Sequence, residues 1–221
     1  MHYSKQKFED FLNNSRSILD LCTRDEELRQ AVANFGYDEE RLSEGRQLFD
    51  ELVRVAELQE ATDEERRLCF ERKSAFQTEL SADYMKYLKI ARIVFNKNEE
   101  AYLSLALKGQ RARTYEKWYH QVSVFANNLL ANKEYLGKMS SFGIKEKNIK
   151  ILKQNLDKIQ RMSEECTRLS ARVSSVVKDK KTRMIKWQGW LSDFVKIVRI
   201  AIEDTRPEDK KRLKQLLTQG E

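Results

Sequence analysis

The side chains able to carry chemistry are few, and their spacing suits none of the usual sites. There are two histidines, His2 and His120, and three cysteines, Cys22, Cys69 and Cys166. His120 has Glu116 four residues before it, not the Glu-x-x-His spacing that di-iron helical bundles use, so a metal site would be short of ligands. The cysteines form no Cys-x-x-Cys pair, and an odd number so arranged suggests neither a zinc site nor a disulfide framework. Each reads as a small apolar helix residue, in a chain suited to a reducing cytoplasm. Acidic neighbours such as Glu39-Glu40 and Glu164-Glu165 diverge by about 100° on a helix and cannot share a site. Seven scattered glycines build no phosphate cradle, and no Gly-x-Ser-x-Gly or zincin motif occurs. The expectation is a non-enzymatic protein without metal or cofactor.

Recognition is the chemistry that remains, and two features could serve it. Lys147, Lys150, Lys158 and Arg161 follow roughly three-to-four steps within a densely basic run, which makes a helical stripe possible. Such a stripe could meet nucleic acid or an anionic membrane, although no recognised nucleic-acid motif accompanies it. The second feature is "WQGW", where Trp187 and Trp190 share about one face, either as a helix-packing anchor or as an exposed platform.

These residues have to be positioned by helices. The 221 residues are 35% charged and 40% hydrophobic with a single proline, a composition for long amphipathic helices and an all-α fold. No run approaches the roughly 18 apolar residues of a membrane span, and the charged start "MHYSKQKFEDFLNN" lacks the core of a secretory signal. A soluble cytoplasmic chain is expected.

The strongest signal is internal. Setting residue i beside i+107 aligns Phe35-Gly36 with Phe142-Gly143, Asp50 with Asp157 and Arg54 with Arg161. It also sets Lys89, Ile90, Arg92 and Ile93 on Lys196, Ile197, Arg199 and Ile200. Apolar character is kept where identity is not, as in Phe8 with Tyr115, Phe11 with Trp118 and Phe49 with Leu156. One packing plan is written twice, giving two tandem helical-bundle repeats, 1–107 and 108–221. In this register Leu80 matches Trp187 but Asp83 matches Trp190, which makes Trp190 the better surface candidate.

Within each copy the pattern predicts a helix over about 3–33, interrupted near Cys22–Asp25 and capped at the Phe-Gly pair. A long segment then starts at "YDEERL". Unbroken to Phe95 it would be about 90 Å long, so a break is expected within 58–76, at "EATDEE" with Thr62 or Asp63 as N-cap, or within 165–183, at "KDKKTR". A third helix holds the repeated Lys-Ile-x-Arg-Ile motif, and a short one follows, with Asn98 and Thr205 at matching cap positions.

The stretches "NFGYDEERLSEGRQLFDE", "YLKIARIVFNKNEEAYLSLAL" and "WLSDFVKIVRIAIEDTRPEDKKRLKQL" resemble a group of bacterial proteins of unknown function built from tandem helical repeats. The resemblance covers most of both copies and implies the helical fold, with no catalytic residues to carry over. Where such repeats usually end on Leu-Gly, this chain has Leu105-Ala106-Leu107 and Leu216-Leu217-Thr218.

Charge is what the copies do not share. Residues 1–107 hold 16 Lys and Arg against 22 Asp and Glu, a net of −6, while residues 108–221 hold 26 against 13, a net of +13. The split could steer an anionic partner to the second copy, drive self-association through opposite charges, or reflect drift of solvated faces. The function expected is protein interaction or scaffolding, with polyanion binding through the basic copy as the alternative.

Overall fold

The computed structural model describes residues 8–205, and among them every regular element is helical. The helices are α1 (Phe8–Arg24), α2 (Glu26–Asn34), α3 (Glu39–Val94), α4 (Glu99–Ser104), α5 (Tyr115–Ala131), α6 (Lys133–Ser140) and α7 (Glu146–Thr205).

Local chemistry sets these boundaries. Asp25 separates α1 from α2, its carboxylate accepting the Leu28 N–H at 3.1 Å, and Asn132 likewise caps α6 through the Tyr135 N–H. Gly36 and Gly143 both adopt φ +84, and the amides that follow, Tyr37 and Ile144, donate back to the Val32 and Met139 carbonyls. This is the left-handed helix ending that glycine makes without a Cβ penalty. Asp38 accepts the Arg41 N–H at the start of α3, and Asn98 caps α4 through the Ala101 N–H, as its position implied. The described residues end within α7 at Thr205, which is helical, so the short helix expected after it lies outside them.

The breaks expected within 58–76 and 165–183 do not occur, and α3 and α7 run through both stretches. Thr62 caps nothing; its hydroxyl is buried and donates to the Leu58 carbonyl of its own helix. Asp63 accepts from Gln59 one turn back. No glycine or proline interrupts the chain between Gly45 and Gly109 or between Gly143 and Gly189, so nothing there forces a break. Through 58–76 burial on α3 narrows to Thr62 and Cys69, seven residues apart, the spacing by which one helix keeps one seam against a single partner.

Packing divides the chain into two compact units, and they are not the sequence halves 1–107 and 108–221. Unit 1 is residues 1–63 with 172–221, and unit 2 is residues 64–171. In unit 1, α1, α2 and the start of α3 close on the end of α7, with Phe11, Ile18, Leu52, Trp187, Phe194 and Val198 in one core. In unit 2, the end of α3 packs with α4, α5, α6 and the start of α7 around Tyr84, Leu88, Phe95, Phe125, Met139 and Ile149. Ile90 and Ile197 of the repeated motif are only partly buried against these clusters. Fully buried positions beside them are Leu88, Ala91, Val195 and Val198.

In each unit α3 and α7 are antiparallel. Phe49 meets Trp187 at 5.4 Å between ring centroids and Glu51 pairs with Arg183 in unit 1. Lys73 donates to Ser163 at 2.9 Å in unit 2. One residue pair overturns the expectation drawn from cysteine spacing. Cys69 on α3 and Cys166 on α7, both nearly inaccessible, form a disulfide across a Cα–Cα distance of 5.7 Å. Cysteines 97 residues apart carry no local signature; the antiparallel register brings them together. The cysteines therefore no longer argue for a reducing compartment.

Candidate interaction surfaces

The repeated Lys-Ile-x-Arg-Ile motif has a structural role for its arginine in unit 2. Arg92 donates from Nε to the Leu107 carbonyl at 2.9 Å and from Nη2 to the Gly109 carbonyl, holding the segment after α4 against α3. Ala106 in that segment has φ 52, a left-handed conformation that L residues adopt at a cost and glycine does not. Arg111 donates to its carbonyl and also to the Tyr84 hydroxyl.

The four residues of the expected basic stripe are all solvent-exposed. Lys147, Lys150, Lys158 and Arg161 are exposed on α7, while Ile149, Leu152, Leu156 and Ile159 are buried on its other side. Lys150 pairs with Glu146 and Lys158 lies over the Phe76 ring at 4.5 Å. Lys147 and Arg161 have no ion pair among the described residues. All four belong to unit 2, whereas the acidic residues Asp38, Glu39, Glu40 and Glu44 belong to unit 1. Packing also redistributes charge: unit 2 holds 21 basic against 13 acidic side chains, net +8, and unit 1 holds 21 against 22, net −1.

Trp190 serves the core and is not an open platform. It is half-buried, stacks on Trp187 at 5.5 Å, and contacts Phe194 at 4.8 Å and Tyr37 at 5.6 Å. Gly45 makes room for it, since a Cβ at Gly45 would overlap the Trp190 six-membered ring. Gly45→Ala should therefore destabilise the protein by about 1–3 kcal/mol, despite the roughly 1 kcal/mol that alanine gains over glycine within a helix. Urea unfolding measures this; a midpoint at or above that of the parent would mean the indole moves aside freely.

The remaining reactive groups are quiet. His120 is exposed on α5, and His2 lies outside the described residues. Cys22 is fully buried, and its thiol is pushed up to about 12 by that burial and then by Asp25, so the nucleophilic thiolate is scarce at neutral pH. Among the described residues no three His, Cys, Asp or Glu side chains are grouped to hold a metal ion, and no helix is long and apolar enough to cross a membrane.

Sequence reasoning missed two apolar features. Phe35 and Phe142 are 40% and 56% exposed, and Ile93 and Ile200 are 66% and 46% exposed. In unit 1, Phe35 stands two residues before Tyr37, whose ring meets Phe194, and Ile200 lies six residues further along α7. In unit 2, Phe142 stands two residues before the buried Ile144, and Ile93 is near the end of α3. The second feature is an open groove of about 460 Å³ in unit 1, floored by Phe8, Val177, Met184 and Ile185 and edged by Lys180 and Lys181. The identities Phe35/Phe142 and Ile93/Ile200 were legible; their exposure was not.

No family model matches the chain, and neither a curated protein nor a solved structure matches it.

Proposed function

We propose that residues 1–107 and 108–221 are two copies of one helical repeat, and that the protein is a non-enzymatic interaction module offering one partner two like docking spots. Element boundaries support the duplication: α5 ends 107 residues after α1, and α6 starts 107 residues after α2 and α7 after α3. The caps Asp25 and Asn132 and the left-handed Gly36 and Gly143 keep the same interval. The two boundaries between the units, after Asp63 and after Ala171, lie 108 residues apart, within one residue of that interval. Each unit then joins the first part of one copy to the last part of the other. Side-chain volume follows the same logic, because the Gly45–Trp190 contact of unit 1 is matched in unit 2 by a buried Leu152 and an exposed Asp83.

The observation that carries the functional reading is the exposure of identical apolar side chains in both copies. Net charge on the solvated faces differs by sign between the copies, so those faces are free to diverge. Phe35/Phe142 and Ile93/Ile200 nonetheless stay apolar and exposed. Exposed aromatic and branched residues at matched positions are typical anchors for protein partners. The expected partner is one protein, bound twice, once at Phe35 and Ile200 and once at Phe142 and Ile93. Once it is isolated from the native host, calorimetric titration should give two partner molecules per chain, one for Phe35→Glu or Phe142→Glu, and none for the double variant. A stoichiometry unchanged by both substitutions contradicts the reading.

A second reading rests on the exposed Lys147–Arg161 face and the net charge of unit 2. If it binds nucleic acid or anionic vesicles, affinity should fall steeply with salt and drop when Lys147, Lys150 and Lys158 become Glu. Absence of binding at low salt removes it.

A further inference from the structure

The groove in unit 1 is a place where the two halves of the chain differ in kind. On α7, Val177, Lys180, Lys181, Met184, Ile185 and Gln188 recur at three-to-four spacing and face it. Ile185 is 61% exposed and Val177 43% exposed. The residues 107 positions earlier that match Val177, Met184, Ile185 and Gln188 are Phe70, Gln77, Thr78 and Ser81, so the corresponding stretch of α3 keeps an exposed apolar residue only at the first of these positions. Met184 and Ile185 thus stand where the counterpart holds Gln77 and Thr78, an apolar gain that an ordinary solvated helix face has no reason to make.

Lysine chemistry says what the groove lacks. In unit 2, Lys73 lies over the Tyr115 ring at 3.8 Å and donates to the Ser163 hydroxyl. In unit 1 the matching Lys180 lies over the Phe8 ring at 4.0 Å, but it has no hydrogen-bond acceptor among the described residues. Burial beside the groove lowers its ammonium below the ordinary lysine range, with Glu60 opposing that shift. Lys178, Lys181 and Lys186, all exposed on the same helix, also have no ion pair among the described residues. The nearby anions are committed or few: Asp179 and Glu51 both bond Arg183.

We propose that this groove docks an amphipathic helix of a partner protein, whose apolar side chains pack on Val177, Met184 and Ile185 and whose carboxylates meet Lys180 and Lys181. From Val177 to Gln188 the lining covers three helical turns, about 16 Å, the contact length of a short helix laid in a groove. Its concavity suits a helix better than a bilayer surface, which would lie against a convex face. The proposal stands apart from the Phe35 and Phe142 spots, and either can fail without the other.

The test uses the full-length chain and a library of labelled amphipathic helical peptides of about four turns. Their apolar positions are varied among Leu, Ile, Met and Phe, and the flanking positions are fixed as Glu in one set and as Lys in the other. Fluorescence anisotropy should show the best Glu-flanked peptides binding at least about tenfold tighter than their Lys-flanked counterparts. Ile185→Glu and Lys180→Glu should each weaken that binding by about tenfold or more, while Thr78→Glu on the matching face of α3 leaves it unchanged. Ile185 is largely exposed, so its variant should keep the parent's circular dichroism and unfolding midpoint. Equal binding of the two sets, loss of binding with Thr78→Glu, or no binding by any Glu-flanked peptide overturns the proposal. Binding to vesicles rich in anionic lipid that Ile185→Glu abolishes, with no peptide bound, would reassign the groove to membranes and overturn it equally.

Discussion

Reduction of the Cys69–Cys166 bridge, or its replacement by Cys69→Ser and Cys166→Ser, is expected to lower stability by about 2–4 kcal/mol. The bridge closes a long stretch of chain, the two cysteines being 97 positions apart, so in the unfolded state it removes much of the freedom that the two ends would regain. Urea unfolding with and without a phosphine reductant reads the difference as a shift in midpoint. Thiol titration in denaturant supplies an independent check. Unfolded, unreduced protein should show one thiol, that of Cys22, and all three cysteines should titrate after reduction. Three thiols before reduction, or equal midpoints in the two states, would contradict this account.

Truncating a large core side chain should cost at least as much. Phe49 is 4% exposed and packs edge-on against Trp187 in unit 1, and Leu156 is 3% exposed in unit 2. Phe49→Ala should cost about 3–5 kcal/mol and Leu156→Ala about 2–5 kcal/mol, from the lost transfer energy and the cavity left behind. Calorimetry would show this as a fall in Tm of about 2–4 °C for each kcal/mol in a chain of this size. Ile93→Ala serves as the control, since two-thirds of that side chain is in water and its loss should shift Tm by little. A change below about 1 kcal/mol at Phe49 would mean that the core relaxes around the deletion.

Much of the fold was legible because it is written in local code. Asp25, Asn98 and the Phe-Gly pairs announce helix ends through capping chemistry that needs no knowledge of the rest of the chain. The unbroken α3 and α7 were equally legible, since neither carries a glycine or proline through the stretch where a break was expected; the error lay in treating length as a reason to stop. What composition and periodicity could not supply was register between distant segments. In each unit facing residues on α3 and α7 have numbers that add to 234–236, as in 51 with 183, 69 with 166 and 73 with 163. Given that register, the Cys69–Cys166 bridge follows; without it, the two are unrelated cysteines. Trp190 was misjudged for the same reason, because its partner Gly45 is known only once the helices are laid together. The candidate site was legible as a basic stripe and illegible as a groove, since a groove needs Phe8 from α1 beside Met184 and Ile185 from α7.

The division of the chain into units also fixes an order of birth. Unit 2 is one continuous stretch, 64–171, so a ribosome can release all of its parts in sequence and let them close while synthesis continues. Unit 1 has no such option. Phe11, Ile18 and Val32 are made well before Trp187, Phe194 and Val198, with which they share their core. The nascent N-terminal segment must therefore wait, with its apolar stripes unsatisfied, while more than a hundred residues are added. Residues 8–63 carry 15 acidic against 6 basic side chains, a net of −9, and like charge of that size opposes association between waiting segments.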